Sequence, residues 1–542
     1  MKNVLNVFKA LLLFVVSAQF AWADVSDSAS FTKALIGKKT SEKESAIEWI
    51  IASQPEGVAL PLLNSWLNGT LYYVNDRKSD HYKQLYLIEG IKTATHAQSA
   101  WSDETLVIES TKPFKKVRVN NKLRGILRIE IASMGLNSED SEVRYQSVNN
   151  LLGTKDRAII ERIRLMQPSE ENDRVADLMT LLLAVHISQD NQTNAASRIE
   201  AIETLGDFKQ SVVLKTLNSL LSKESEPAII DAAERALDQY QQSQAFYSGV
   251  ETVFFGLSMG SVLVLAGIGL AITFGVMGVI NMAHGELIMI GAYTTYVLQL
   301  LMPNHIGTAL LLSIPVAFIV SGLVGIVIER SVIRHLYGRP LETLLATFGI
   351  SLILQQAVRS IFSPLNRSVS TPEWMAGALE LNPMLSLTYN RLYIILFCAL
   401  VFIGLLMVLK KTPLGLQVRA VSQNRAMARA MGIRSERVDA MTFGLGSGVA
   451  GVAGVALSQL TNVGPNMGQA YIIDSFMVVV FGGVGNLWGT LVAGLSLGLF
   501  NKVLEPWAGA VLAKILVLVF IILFIQKRPR GLFPQRGRAA EG

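Results

Sequence analysis

Apolar and polar positions divide this chain at a single point. From 250 to 525, apolar runs long enough to cross a bilayer follow one another, near 251–276, 285–303, 306–328, 343–363, 391–410 and 440–461. The run 471–505 is interrupted by Gly482, Gly483, Gly485 and Asn486 and reads as two short or re-entrant helices; a last span covers 507–526. Eight to nine crossings result. Upstream, between Phe31 and Tyr240, apolar residues recur at helical spacing with few strand-like alternations. Ala201, Ile202, Leu205 and Phe208 share one face, and Val212, Val213, Leu217, Leu220 and Leu221 form the next. The expected fold class is all-α, a helical domain over 24–247 followed by a polytopic membrane domain over 248–526.

The helical domain carries an internal echo. Arg144-Tyr-Gln-Ser-Val-Asn-Asn-Leu151 matches Arg198-Ile-Glu-Ala-Ile-Glu-Thr-Leu205, each is followed by a glycine (Gly153, Gly206), and Pro227 opens a possible third unit. Paired helices of this kind resemble HEAT-type repeats. The first residues read as an export signal, 1–23: Lys2 and Lys9, an apolar stretch from Ala10 to Phe20, then Ala21-Trp22-Ala23 as a cleavage site. The domain that follows is therefore expected outside the cytoplasm.

Charge adds an orientation. The net charge of +6 comes from basic residues set between apolar spans, which points to membrane lipid and sidedness and away from nucleic acid. Arg330, Arg334 and Arg339 follow the third span. Lys410 and Lys411 precede a loop with Arg419, Arg425, Arg429, Arg434 and Arg437, and the tail 527–542 holds Lys527, Arg528, Arg530, Arg536 and Arg538. All three segments fall on the cytoplasmic side if the chain crosses nine times, N-terminus out and C-terminus in. The one cysteine, Cys398, rules out an intramolecular disulfide. His81, His96 and His186 are isolated, so no metal set or catalytic constellation is expected. Gly37-Lys38-Lys39-Thr40 lacks the upstream glycine of an ATP-binding P-loop.

Two stretches carry chemistry. In Gly275-Val-Met-Gly-Val-Ile-Asn281-Met-Ala-His284-Gly-Glu286 two glycines precede ionisable groups at a span boundary, which suggests an interrupted helix facing a cavity. Thr273, Gln355, Gln356, Gln459, Asn462 and Asn466 are further polar candidates. Gly444, Gly448, Ser447, Gly451, Ala450 and Gly454 make small-xxx-small pairs suited to close helix contact.

Ile280-Asn-Met-Ala-His-Gly-Glu286 with Gly291-Ala-Tyr293, and Phe481-Gly-Gly-Val-Gly-Asn486 with Gly489-Thr490, resemble the LivH-like permeases of branched-chain amino acid type. Thr412-Pro-Leu-Gly415 through Gly432-Ile433 resembles their cytoplasmic coupling loop, 412–438, although the glutamate of the wider permease motif is absent. The resemblance covers 250–535. It implies a transport subunit without cofactor or enzyme activity, working with ABC ATPase subunits, a second permease subunit and a periplasmic solute-binding protein. It places Asn281, His284, Glu286, Asp474 and Asn486 on the solute pathway. Arg425, Met427, Ala428, Arg429 and Gly432 fall at the ATPase contact, on a helix over 421–432. Several amino-acid permeases of the family carry a basic residue where this chain has Asp474. Tyr471-Ile-Ile-Asp474-Ser-Phe476 and the long N-terminal extension resemble the urea-type members. Urea is the lead cargo, a branched-chain amino acid the alternative.

Overall fold

The structure is a computed structural model that describes residues 25, 27–91, 94–102, 104–108 and 110–533. The expected export signal, 1–23, and Arg536 and Arg538 of the tail lie outside these residues. The chain divides into two compact units, the first ending at Gln241 and the second beginning at Gln242.

The first unit is mostly helical. Three helices, α1 (Ser28–Ile36), α2 (Thr40–Ser53) and α3 (Glu56–Asn68), lead into a small antiparallel sheet. Its strands are β1 (Leu71–Val74), β2 (Leu85–Leu87), β3 (His96–Ser99), β4 (Thr105–Val107) and β5 (Phe114–Lys116), in the order β4-β3-β2-β1-β5. This sheet is an addition to the expected helices. Strands of three or four residues are too short to show the period-two alternation by which a strand is recognised. Phe31, Leu35, Ile47, Ile50, Leu62 and Trp66 from the helices bury Leu71 and Leu85 of the sheet, together with Leu123 and Leu127 of α4 (Asn121–Gly135).

Helices α5 (Ser141–Leu151), α6 (Arg157–Met166), α7 (Asp173–Gln189), α8 (Ala195–Asp207) and α9 (Ser211–Lys223) complete the first unit up to the start of α10 (Pro227–Met277), within which the boundary falls. The two echoed segments lie on α5 and α8, and their leading arginines act alike. Arg144 Nη2 donates to Glu170 Oε1 at 2.6 Å and Arg198 Nη2 to Glu224 Oε2 at 2.5 Å, each across the same separation of 26 residues. Arg144 also donates to the Ser138 carbonyl and Arg198 to that of Ser188, so each guanidinium ties its helix to a preceding turn and a following loop. The arginine beside each glutamate holds its carboxyl below the usual carboxylate range.

The second unit holds α11 (His284–Leu301), α12 (Ile306–Ser331), α13 (Pro340–Phe362), the hairpin β6 (Ala378–Asn382) and β7 (Leu385–Thr388), and α14 (Tyr389–Lys411). Short loop helices α15 (Pro413–Gln423) and α16 (Arg425–Ala430) come next, then α17 (Ser435–Ser458), α18 (Met467–Gly482) and α19 (Leu487–Lys527). Among the described residues, α10, α12, α13, α14, α17 and α19 are long and apolar enough to cross a membrane. Within α19, Gly509 departs from helical geometry (φ 76°, ψ 159°) three residues after Pro506, so this element is two helices in series.

Loop contacts sort into two sets. In one, Arg334 pairs with Glu436 at 2.7 Å, and the tail after α19 returns to the 483–486 turn, where the Leu532 amide donates to the Phe481 carbonyl at 2.9 Å. In the other, the Arg367 and Val463 backbones exchange bonds, and Gln299 bonds the Ser370 backbone in both directions.

α17 is the centre of this unit, buried along nearly its whole length. Its small residues meet a different neighbour on each side. A Cβ on Gly291 of α11 would lie 2.0 Å from the Gly451 carbonyl oxygen; one on Gly451 would lie 2.6 Å from the Ala317 carbonyl oxygen of α12. Backbone therefore rests on backbone along both seams, where dispersion and lipid exclusion replace the hydrophobic effect.

Gly451→Ala is expected to force these backbones apart at about 1–3 kcal/mol, lowering the melting temperature and membrane abundance of the protein. Gly404→Ala, where an added Cβ meets nothing within 4 Å, is expected to change neither. Because the carboxyls of Glu170 and Glu224 are depressed, their pairs stabilise the fold fully above about pH 4.3. That contribution is lost as pH falls through the lowered folded-state values. Arg144→Met is therefore expected to lower the melting temperature at pH 7, with the difference from the parent shrinking below pH 4.

Candidate functional site

α10 ends at Met277, Gly278 turns with φ +66°, and regular helix resumes only at His284. The expected helix interruption is present, and it is enclosed by protein: Val279, Asn281 and Ala283 are buried. Non-helical backbone at such a place needs partners. Asn281 Oδ1 accepts from the Ala283 amide at 3.0 Å, and Thr347 Oγ1 of α13 accepts from the Met282 amide at 3.1 Å. Asn281 thus shapes the turn, leaving its buried Nδ2 without a partner among the described residues.

His284 and Glu286 leave the first turn of α11 in different directions. His284 Nε2 donates to the Ala266 carbonyl at 2.9 Å, which braces α11 against α10. The ring is wholly buried, and its Nδ1 has no partner among the described residues. Glu286, only 1% exposed, turns to α13: Ser351 Oγ donates to its Oε1 at 3.0 Å and Gln355 Nε2 donates to the same oxygen at 2.7 Å. Its second oxygen, Oε2, is buried with no partner among the described residues. Gly468 of α18 makes room for it, since a Cβ there would lie 2.7 Å from Oε2.

The α13 face opposite this carboxylate is a file of polar side chains. Thr343, Thr347, Ser351 and Gln355 recur every four residues and all are buried; Val358 is the other buried residue of this helix. One turn on, Arg359 Nη2 donates to Asn466 Oδ1 at 2.5 Å. Sequence reasoning selected Gln355 but missed Thr343, Thr347 and Ser351; their four-residue spacing within the apolar run 343–363 was the signal. It also selected Gln356, which the helix turns about 100° away, to an exposed position.

The remaining pathway candidates stand apart. Asp474 of α18 accepts from Lys514 of α19 at 3.0 Å. Asn486 caps α19, accepting from the Gly489 amide at 3.1 Å and donating to the Phe533 carbonyl at 3.3 Å. It also lines a 340 Å³ cleft bounded by Gly275, Lys410, Arg419, Gly485 and Trp488. Neither residue makes a contact of the Glu286 cluster. Among the described residues, no group of three or more His, Cys, Asp or Glu could hold a metal ion.

The loop ahead of α17 differs from the single helix expected over 421–432. Asn424 is extended (φ −149°, ψ 99°) and caps α16 by accepting from the Met427 amide at 3.0 Å, which splits the segment into α15 and α16. Arg425 pairs with Asp439 of α17 and lies 4.0 Å over the Tyr337 ring, and Ala428 is buried, so these two anchor the loop. Arg429 Nε donates to Ser435 Oγ at 2.6 Å. Met427 and Met431 are 60% and 77% exposed, and Gly432 turns the chain with φ +85°.

Glu286→Leu is expected to strand the Gln355 amide and reduce thermal stability by about 1–3 kcal/mol. Glu286→Gln, which keeps an acceptor for both donors, is expected to retain most of that stability. Equal melting temperatures for the two variants would contradict the assigned bonds.

Residues 252–525 match the family described as "Branched-chain amino acid transport system / permease component". Over 301 residues, 54% of this chain, the protein is 30% identical to the high-affinity branched-chain amino acid transport system permease protein LivH of Salmonella typhimurium and to that of Escherichia coli K12, covering 97% of each. A shorter stretch of 110 residues, 19% of this chain and 34% of the relative, is 34% identical to the ribose import permease protein RbsC of Bacillus subtilis. No solved structure matches. The matched region is the one that carries the interrupted helix, the Glu286 cluster and the loop helices. The chain belongs to the branched-chain amino acid transport system permease family, as a multi-pass inner-membrane permease subunit of an ABC transporter.

Proposed function

We propose that this subunit imports a small neutral polar solute, urea first, along the polar file of α13, driven by ATP that separate subunits hydrolyse. The observation that carries the reading is the Glu286–Ser351–Gln355 cluster within that file. Hydroxyls, amides and one carboxylate oxygen can exchange hydrogen bonds with a carbonyl and its N–H groups. An amino acid brings a carboxylate that needs an unpaired cation, and Lys514, the cation beside Asp474, is already paired with it. The alternative cargo, a branched-chain amino acid, is favoured by the names of the relatives.

The first unit is read as periplasmic and the tail as cytoplasmic, a reading supported by the basic residues flanking the first set of loop contacts. On the cytoplasmic side, α16 is read as the ATPase contact. Arg425 and Ala428 fix it to α17 while Ala426, Met427, Ala430 and Met431 face outward. Such a knob can pass on the closure of a docked ATPase as a rigid-body movement. A second permease subunit and a periplasmic solute-binding protein complete the proposed assembly.

Two measurements test this. Cells lacking the chain are expected to lose high-affinity uptake of labelled urea while keeping leucine uptake; the opposite pattern would establish the amino-acid reading instead. Met427→Asp with Met431→Asp is expected to leave the protein abundant and folded yet reduce ATP-dependent uptake at least tenfold. Undiminished uptake in that variant would remove α16 from the ATPase contact.

A further inference from the structure

The first unit contains a cleft of 970 Å³ that transport through the second unit does not use. Its walls are the end of α1, the start of α2, strands β1 and β5, and the segment joining β5 to the first turn of α4. Lys38, Lys43, Lys115, Lys116, Arg118 and Arg124 all line it, and no Asp or Glu does. Among the described residues, Lys38, Lys115, Arg118 and Arg124 have no carboxylate within ion-pair distance. Two nearby acids are occupied elsewhere: Glu42 pairs with Lys39 at 3.1 Å and Glu44 with Lys122 at 2.6 Å.

Two further features mark this cleft for an anion. Lys43 is buried, 7% exposed, and Nζ has one recorded bond, a donation to the Arg118 carbonyl at 2.9 Å that leaves further donor capacity. Burial and repulsion by Arg118 hold its ammonium below the usual lysine range. Two helices also begin at the cleft, joined by Asn120 Nδ2 donating to Thr40 Oγ1 at 3.1 Å. Asn120 caps α4, but α2 starts after Lys39 with no side-chain cap, so its first amides are free of that partner. The Gly37-Lys38-Lys39-Thr40 segment, which lacks the spacing of an ATP site, is thus the entry to an uncapped helix N-terminus in a basic cleft.

We propose that this cleft binds an anion carrying two or more phosphate groups. Six cations exceed the charge of a single phosphate. Guanidinium forks and helix amides suit phosphate oxygens, and the volume falls at the upper end of small-ligand sites. Bound phosphate would relieve the repulsion around Lys43 and fill its spare donors. The same chemistry is offered by a soluble diphosphate and by the headgroups of an anionic phospholipid surface.

The test uses the full chain in phosphatidylcholine nanodiscs, titrated with inorganic pyrophosphate in one arm and with vesicles containing cardiolipin, whose headgroup carries two phosphates, in the other. The comparison protein carries Lys115→Ala, Arg118→Ala and Arg124→Ala, three exposed positions whose loss is not expected to unfold the unit; an unchanged melting curve verifies this. If that variant melts early, Arg118→Gln alone replaces it. Saturable binding in either arm, weakened at least tenfold in the variant and falling with added salt, supports the proposal, and the responding arm identifies the source. Absence of saturable binding in both arms, or equal binding by parent and variant, overturns it.

Discussion

The packing of α17 against α11 and α12 is the constraint on which the second unit depends. In a bilayer no hydrophobic effect distinguishes a helix surface from lipid, so association has to come from close contact and polar bonds. Gly291 and Gly451 supply the first by removing every atom that would separate the two backbones. Once α11 is fixed there, its first turn is fixed as well. The His284 brace to α10 and the Glu286 bonds to α13 then follow from where that turn sits.

This order explains how a buried carboxylate is tolerated. Glu286 does not stand on a mobile loop: it leaves a helix clamped on one side by α17 and on another by α18, where Gly468 leaves space for its free oxygen. Two donors from α13 offset part of the cost of taking the group out of water, and one oxygen keeps unused acceptor capacity. A site built this way combines rigid placement with an unmet hydrogen bond, the combination a passing amide solute can use. The loop before α17 follows the same logic, because Arg425 ties α16 to the helix that the glycines hold in place.

Much of this was legible in the residues. The single change in composition marks the membrane unit, the glycine break before Asn281 marks the interruption, and the small-residue face of α17 is written at four-residue spacing. What could not be read was pairing over long separations. Nothing local says that Gly451 meets Gly291, or that Glu286 faces Ser351 and Gln355 and not Asp474. Gln356 shows how fine the margin is, since one residue along a helix turns a side chain away from the cluster. The sheet of the first unit is not legible because its strands are too short to display a period, and the break in the loop helix rests on Asn424, whose cap depends on its extended backbone. The basic cleft is likewise assembled from segments some eighty residues apart.

The central claim is that the buried face of α13 lines the solute path. In a Cys398→Ser background, cysteines placed singly at Ser351 and Gln356 can be followed by thiol labelling in the assembled transporter during ATP turnover. The account expects the cysteine at 351 to react only during turnover and to be slowed at least several-fold by saturating urea, while the cysteine at 356 is indifferent to both. A cysteine at 351 that stays unreactive throughout turnover, or reacts at a rate that urea does not change, would contradict it.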